Sequence, residues 1–305
     1  GGRDDAGGRG VSTAGDITVG FLGVPGSYSH QAAEEIYGAA GAIGFRSFAD
    51  VVRSVESGEI THGVVAVENS NAGRVDEVYQ LLASMELSII GEHFVTVSHC
   101  LAAAPGAGGG GAAGLRRVVS HKQALMQCRD WLRANAPQAE QVEAADTASA
   151  ARDIAAAAEA GVAAICSERA AEIYGLETLA RGIQDHDTNV TRFHLLARAP
   201  LAEPEIGPQA ITTVVFQISH KPGALLNALT AISRHGVDMI KLETYMVSGN
   251  RAEPTFYVDI AVDRFSARGE AALSELSDST SFLKVIGCYP ASPMRGRVPG
   301  FLPIS

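Results

Sequence analysis

Between residues 16 and 198, short β-branched, apolar runs alternate with helical patterns. This alternation constrains the chain more than any other feature, because it is the signature of βαβ units wound around mostly parallel sheets. The spacing predicts strands at 17–24, 42–48, 62–68 and 87–96, with helices near 29–37, 49–58 and 73–85. After a Gly/Ala/Pro loop at 105–114 the pattern restarts. Strands are predicted at 115–120, 140–145 and 161–166, with helices at 122–135 and 147–159; a helix at 168–175 and a strand at 189–197 close the region. Two α/β lobes follow, about 16–100 together with 188–198, and 101–187. A cleft between two such lobes is where small-molecule sites commonly form.

Three prolines and little periodicity make 199–209 read as a linker. Beyond it the predicted order is strand 211–219, helix 223–235, strand 237–247, strand 255–262, helix 266–276 and strand 282–289. This βαββαβ order describes a ferredoxin-like domain over 210–290. Residues 1–15 read as a disordered tail, and 291–305 as a C-terminal tail.

The chain carries 24 basic and 34 acidic residues, a net charge of −10. Such a balance repels nucleic acid and anionic membrane surfaces, so neither is an expected partner. An anionic ligand has to be held by locally aimed donors. The four cysteines, Cys100, Cys128, Cys166 and Cys288, are widely spaced with no CxxC pair. That spacing fits a reducing, cytoplasmic setting.

Strand-to-helix junctions are where α/β sheets bind ligands. Four carry small polar residues: Ser27-Tyr28-Ser29-His30, Glu68-Asn69-Ser70-Asn71, Ser120-His121-Lys122-Gln123 and Ser167-Glu168-Arg169. Each alone reads as a helix cap. Together, drawn from both lobes, they suit one cleft lined for a carboxylate-bearing ligand. Gly23-Val24-Pro25-Gly26 is not a dinucleotide loop and no phosphate loop follows any strand, so no nucleotide cofactor is expected. His93, His99 and Cys100 lack a recognised ligand spacing, and no metal is expected. In the strand starting Asn189-Val190-Thr191-Arg192-Phe193, alternation puts Thr191 and Phe193 on one face and Arg192 on the other.

Several of these segments, in this order and spacing, strongly resemble prephenate dehydratases. They are Gly26-Ser27-Tyr28-Ser29-His30-Gln31-Ala32-Ala33; Val67-Glu68-Asn69-Ser70 with Gly73; Ser120-His121 with Gln123-Ala124-Leu125 and Gln127-Cys128; and Asn189 with Thr191-Arg192-Phe193. Residues 170–176, with Ile183 and Asp185, fit the same family. The resemblance covers about 17–290. It implies a two-lobed, periplasmic-binding-protein-like α/β catalytic region followed by a ferredoxin-like ACT regulatory domain, and a reaction without cofactor: decarboxylative dehydration of prephenate to phenylpyruvate.

Carried over by resemblance, Thr191, Arg192, Phe193 and Glu68 are the expected catalytic residues. Ser27, Tyr28, Ser29, Asn69, Ser70, Ser120 and Ser167 are the expected substrate-binding ones, with Arg192, Asn69, Ser27 and Ser70 holding the carboxylates. Thr191 and Arg192 enter the cleft together only if the backbone bulges. In the ACT region, Gly223-Ala224-Leu225 matches the motif that receives L-phenylalanine, with Asn227, Leu242 and Glu243 alongside. A tight turn is the plain alternative for that glycine. Where the family carries ESRP the chain reads Glu243-Thr244-Tyr245-Met246, keeping only the Glu. A homodimer or homotetramer is implied. Arogenate dehydration and a non-catalytic amino-acid sensor are the competing readings.

Overall fold

The computed structural model describes residues 17–38, 41–246 and 254–304. The expected tail at 1–15 lies outside them.

The first lobe comprises β1 (Val19–Leu22), α1 (Tyr28–Tyr37), β2 (Ala42–Phe45), α2 (Phe48–Ser57), β3 (His62–Asn69), β4 (Gly73–Arg74), α3 (Asp76–Ser84) and β5 (Ser88–Thr96). The second comprises β6 (Cys100–Ala103), β7 (Arg117–His121), α4 (Lys122–Gln127), α5 (Arg129–Asn135), β8 (Glu140–Ala144), α6 (Thr147–Ala157), β9 (Val162–Cys166), α7 (Glu168–Ile173) and β10 (Glu177–Arg181). The chain then returns to the first lobe through β11 (Val190–Ala197), which lies antiparallel between β3 and β5. β1 pairs in parallel with β2 and β3, and β7 with β8 and β9, as the βαβ pattern requires.

Some local expectations needed correction. The helix expected over 122–135 breaks at Cys128, whose φ −111 and ψ 14 are not helical. The helix expected from 73 starts at Asp76, because Gly73 and Arg74 fold back on β3 as β4. Strands β6 and β10 carried no expectation; they pair antiparallel and finish the second sheet, ordered β10-β6-β9-β7-β8.

The C-terminal unit holds α8 (Glu203–Ile206), β12 (Ala210–Gln217), α9 (Ala224–Arg234), β13 (Asp238–Tyr245), β14 (Thr255–Ala261), α10 (Ala267–Asp278) and β15 (Phe282–Pro290). Its strand order, β13-β14-β12-β15, is that of a ferredoxin-like sheet. It is not a bead on a linker. β15 runs beside β5 in parallel, with Gly287 opposite Ile89, making one continuous sheet with the first lobe. A Cβ at position 287 would sit 2.6 Å from the Cβ of Ile89, so only glycine permits the approach. One core runs across the joint, taking in Val78, Tyr79 and Ile89 with Val215, Tyr257, Ile286 and Tyr289. In the supposed linker, Ile206 is buried. The tail after 290 packs back on the first lobe, Phe301 against Phe94 with ring centroids 4.7 Å apart.

Among the described residues no helix is long and apolar enough to cross a membrane.

Candidate active site

A cavity of about 1000 Å³ opens between the lobes. The first lobe contributes the ends of β1, β2 and β3 and the first turn of α1; the second contributes the first turns of α4 and α6; β11 supplies Asn189, Thr191 and Phe193. Residues of three of the four polar junctions therefore line one cavity, while Ser167-Glu168-Arg169 does not.

At the first junction Ser27 caps α1, its Oγ accepting from His30 N–H at 3.2 Å. Burial lowers the pKa of His30, and its neutral Nδ1 accepts from Gly26 N–H at 3.1 Å. Gly26 has φ 88, and a Cβ there would meet Ala170 Cα at 2.6 Å, so the two lobes touch at this turn. Ser27, Tyr28 and Ser29 all line the cavity.

The polar floor is a chain of hydrogen bonds whose direction can be read from its anchored end. Asn69 Oδ1 accepts from the N–H groups of Asn71 (3.0 Å) and Ala72 (2.9 Å), which leaves its Nδ2 as the donor. That Nδ2 donates to Thr191 Oγ1 at 2.9 Å and to Asn189 Oδ1 at 2.6 Å. Asn189 Nδ2 in turn donates to Gln127 Oε1 at 3.0 Å, crossing to the second lobe. The same Oε1 faces His99 Nε2 at 2.9 Å, so the imidazole carries its proton on Nε2. Burial pulls the pKa of His99 down, consistent with one proton only. The bare Nδ1 lies 3.0 Å from the Tyr28 hydroxyl, which also reaches Ser98 O at 2.6 Å. Burial raises that phenol's pKa. Thr191 Oγ1 thus accepts from Asn69, and its own hydrogen has no acceptor among the described residues.

Arg192 is not in the cavity. The register shift in the pairing with β3 skips Val67 on that strand, so alternation along β11 is intact: Thr191 and Phe193 line the cavity and Arg192 faces the far side. There it is 1% exposed, donating to Glu92 at 2.7 Å, Asp259 at 2.7 Å and Glu68 at 3.0 Å. Burial opposes its charge, but Asp259 and Glu92 outweigh that and hold the guanidinium firmly protonated. With Nη2 also donating to Tyr289 Oη at 3.2 Å and the side chain buried away from the cavity, it does not reach a substrate carboxylate there, contrary to expectation. Glu68 is likewise spent, its carboxylate shared between Arg192 and Lys241 of β13.

Three serines also leave the expected list of cavity donors. Ser70 Oγ donates to Thr188 O at 2.7 Å and accepts from Val190 N–H at 2.9 Å, pinning the start of β11. Ser120 Oγ donates to Ile165 O at 2.6 Å inside the second sheet. Ser167 caps α7 and donates to Gly26 O at 2.7 Å, tying the lobes together behind the cavity. For all three, the capping or strand-tying alternative prevails.

Expectation had passed over His99, Gln127, Arg46 and Arg74, all of which line the cavity. Gln127 stood within a quoted motif. Neither arginine carried a sequence signal. Of the loose His/Cys cluster, His93 pairs with Glu35, His99 with Gln127, and Cys100 faces Cys166 at 3.9 Å.

In the C-terminal unit Gly223 has φ 80 and precedes α9, which begins with Ala224 and Leu225 and includes Asn227. Leu242 and Glu243 lie on β13, and Glu243 accepts from Lys241 at 3.0 Å and from Arg74 at 3.3 Å.

The sequence profile of the family described as prephenate dehydratase matches residues 19–201. The chain is similar to a bifunctional N-acyl-homoserine lactone acylase/prephenate dehydratase of Komagataeibacter europaeus, 35% identical over 92% of this chain and 98% of that protein. It is 37% identical to a bifunctional chorismate mutase/prephenate dehydratase of Escherichia coli K12, over 90% of this chain and 70% of the relative. Among solved structures, a prephenate dehydratase of Arthrobacter aurescens in complex with L-Phe superposes with a TM-score of 0.81 at 30% identity, covering 90% of each chain. With an inter-lobe cavity built on the motif residues and a family match across most of the two lobes, the chain belongs to the prephenate dehydratase family.

Proposed function

We propose that the inter-lobe cavity is where this prephenate dehydratase turns prephenate into phenylpyruvate, with the Thr191 hydroxyl as the proton donor to the departing hydroxide. The observation that carries the assignment is the 2.9 Å bond from Asn69 Nδ2 to Thr191 Oγ1, which directs the hydroxyl hydrogen away from Asn69. In the reaction the C–C bond to the ring carboxylate breaks, and its electron pair enters the ring as CO2 leaves. The ring C–O bond breaks at the far end, and hydroxide departs as water with the Thr191 proton, which the threonine regains from solvent so that one proton is consumed per turnover. Aromatisation drives both. An alcohol is a weak acid, and a positioned acid typically contributes about 10²–10⁴-fold, so orientation and charge placement supply the rest. Accepting a bond from Asn69 polarises Thr191 in the useful direction. Phe193, Val97 and Phe45 give CO2 loss an apolar surround. Steady-state assay of phenylpyruvate formation tests this: Thr191→Ala lowers kcat about 10²-fold or more while the fold is kept. Near-normal turnover by that variant removes Thr191 from the chemistry, and faster turnover of arogenate than of prephenate reassigns the substrate.

The C-terminal βαββαβ unit reads as an ACT domain that receives L-phenylalanine at Gly223, Ala224, Leu225 and Asn227 with Leu242 and Glu243. Its support is the motif match, the strand order and the ligand of the Arthrobacter aurescens relative. Retention of Glu243 without the following Ser-Arg-Pro makes this a variant site. Titration calorimetry with L-phenylalanine decides it, a flat trace removing the site.

A further inference from the structure

We infer that Arg46 binds a carboxylate of the substrate and sets its KM. The inference rests on the assignment of the inter-lobe cavity as the site of turnover. Two arginines line that cavity, Arg46 and Arg74. Arg74 is committed: its Nη1 donates to Thr244 O at 2.6 Å and to Glu243 at 3.3 Å, and its Nε to Asp76 at 2.5 Å. Arg46 has neither a hydrogen bond nor an ion pair among the described residues, although the chain carries a net charge of −10 and elsewhere pairs its arginines freely.

Its backbone is nonetheless fixed. Gly23 N–H donates to Phe45 O at 2.9 Å, which fastens the end of β2 to the loop leading into α1, and Ser47 caps α2 directly after Arg46. The next residue of the close contact is Gly44, where a Cβ would meet Gly23 O at 2.3 Å. Arg46 therefore lines the same cavity as the Ser27-Tyr28-Ser29 turn, whose backbone is tied to the end of β2 through Gly23. A dianionic substrate entering a cavity in an acidic protein needs such a cation. A guanidinium fork matches a carboxylate in two parallel bonds, and Arg46 is exposed while lining the cavity, so it is open to an entering ligand.

The test is initial-rate kinetics with prephenate on the unaltered chain, Arg46→Gln and Arg46→Lys, each at low and at physiological salt. Arg46→Gln raises KM about tenfold with kcat within about twofold, as loss of a charge-assisted pair predicts. Arg46→Lys recovers part of the loss, keeping the charge without the fork. The KM of the unaltered chain climbs more steeply with salt than that of Arg46→Gln, which a purely structural role would not produce. An unchanged KM and salt dependence in Arg46→Gln, or a loss confined to kcat, overturns the role of Arg46 alone. Absence of phenylpyruvate with the unaltered chain removes the activity assignment beneath it.

Discussion

Arg192 Nη1 donates to Asp259 Oδ2 at 2.7 Å, so the neighbour of Thr191 in sequence is anchored in the C-terminal sheet and not in the cleft. Glu92 completes the anchor, and Arg295 from the C-terminal tail closes on the same Glu92 at 2.6 and 2.7 Å. Breaking a buried pair by removing one partner costs about 3–5 kcal/mol, because the other charge is left uncompensated. Asp259→Ala is therefore expected to lower urea stability by that order. Replacing Arg192 and Asp259 together by apolar residues of similar volume recovers much of the loss. If the double variant is as weak as the sum of the singles, the two residues are not coupled.

Asn69 offers a sharper test of the chemistry than Thr191 does. Asn69→Ala removes the donor that orients the threonine and should cost about 10- to 100-fold in kcat, the scale of a small misplacement. Asn69→Asp should cost more. The introduced carboxylate accepts only, so it draws the Thr191 hydrogen toward itself and away from the leaving group. Kinetics in which the Asp variant outperforms the Ala variant would show that the direction of this bond does not matter.

Stability should fall as the medium is acidified from neutrality, with buried histidine as the first cause. His194 is fully buried, and burial foremost, then nearby Arg192, brings its pKa from 6.5 to about 3. Its Nε2 reaches Tyr257 Oη at 2.8 Å, while Nδ1 has no hydrogen-bond partner among the described residues. The unfolded chain binds a proton below pH 6.5 and the folded chain does not until about pH 3. Stability from this group is thus complete above 6.5 and drains away below it, at up to about 1.4 kcal/mol per pH unit. His99, His62 and His30 shift in the same direction through burial. Asp259 adds a later loss: against burial, Arg192 lowers its pKa from 3.8 to about 2, so its contribution holds above 3.8 and disappears toward 2. Urea midpoints at pH 7 and pH 5 check the first window, and His194→Asn should flatten the slope between them.

Much of this architecture was legible in the sequence because period-2 runs and helix caps are local signals. The parallel strands of both lobes and the ferredoxin-like order came from spacing alone. Strand β6, Cys100-Leu101-Ala102-Ala103, was hidden because alanine has weak strand preference and its pairing partners, β9 and β10, are distant in sequence. Gly287 gave no hint that it joins two sheets, since its role is a contact with Ile89 almost 200 residues away. Within the site, alternation correctly separated Thr191 from Arg192. What it could not supply was the occupant of the far face, since Asp259 and Glu92 meet Arg192, and Arg295 meets Glu92, only in three dimensions. The serines misread as ligands share one cause: a capping hydroxyl and a ligand-binding hydroxyl look alike until their acceptor is seen.

Arg74 offers a physical link between the proposed effector strand and the substrate. It lines the cavity while its guanidinium holds Glu243 and Thr244 O of β13. If L-phenylalanine engages Glu243, it competes for this partner, and Arg74 is released toward the cavity. Arg74→Met should then leave L-phenylalanine affinity within about threefold by calorimetry while weakening its effect on the KM for prephenate about tenfold, a coupling of typical size. Because coupling of equilibria is reciprocal, saturation with a non-reacting substrate analogue should change L-phenylalanine affinity in the unaltered chain and not in Arg74→Met. Full inhibition persisting in Arg74→Met would route the signal elsewhere, with the buried Arg192–Asp259 pair as the next bridge to cut.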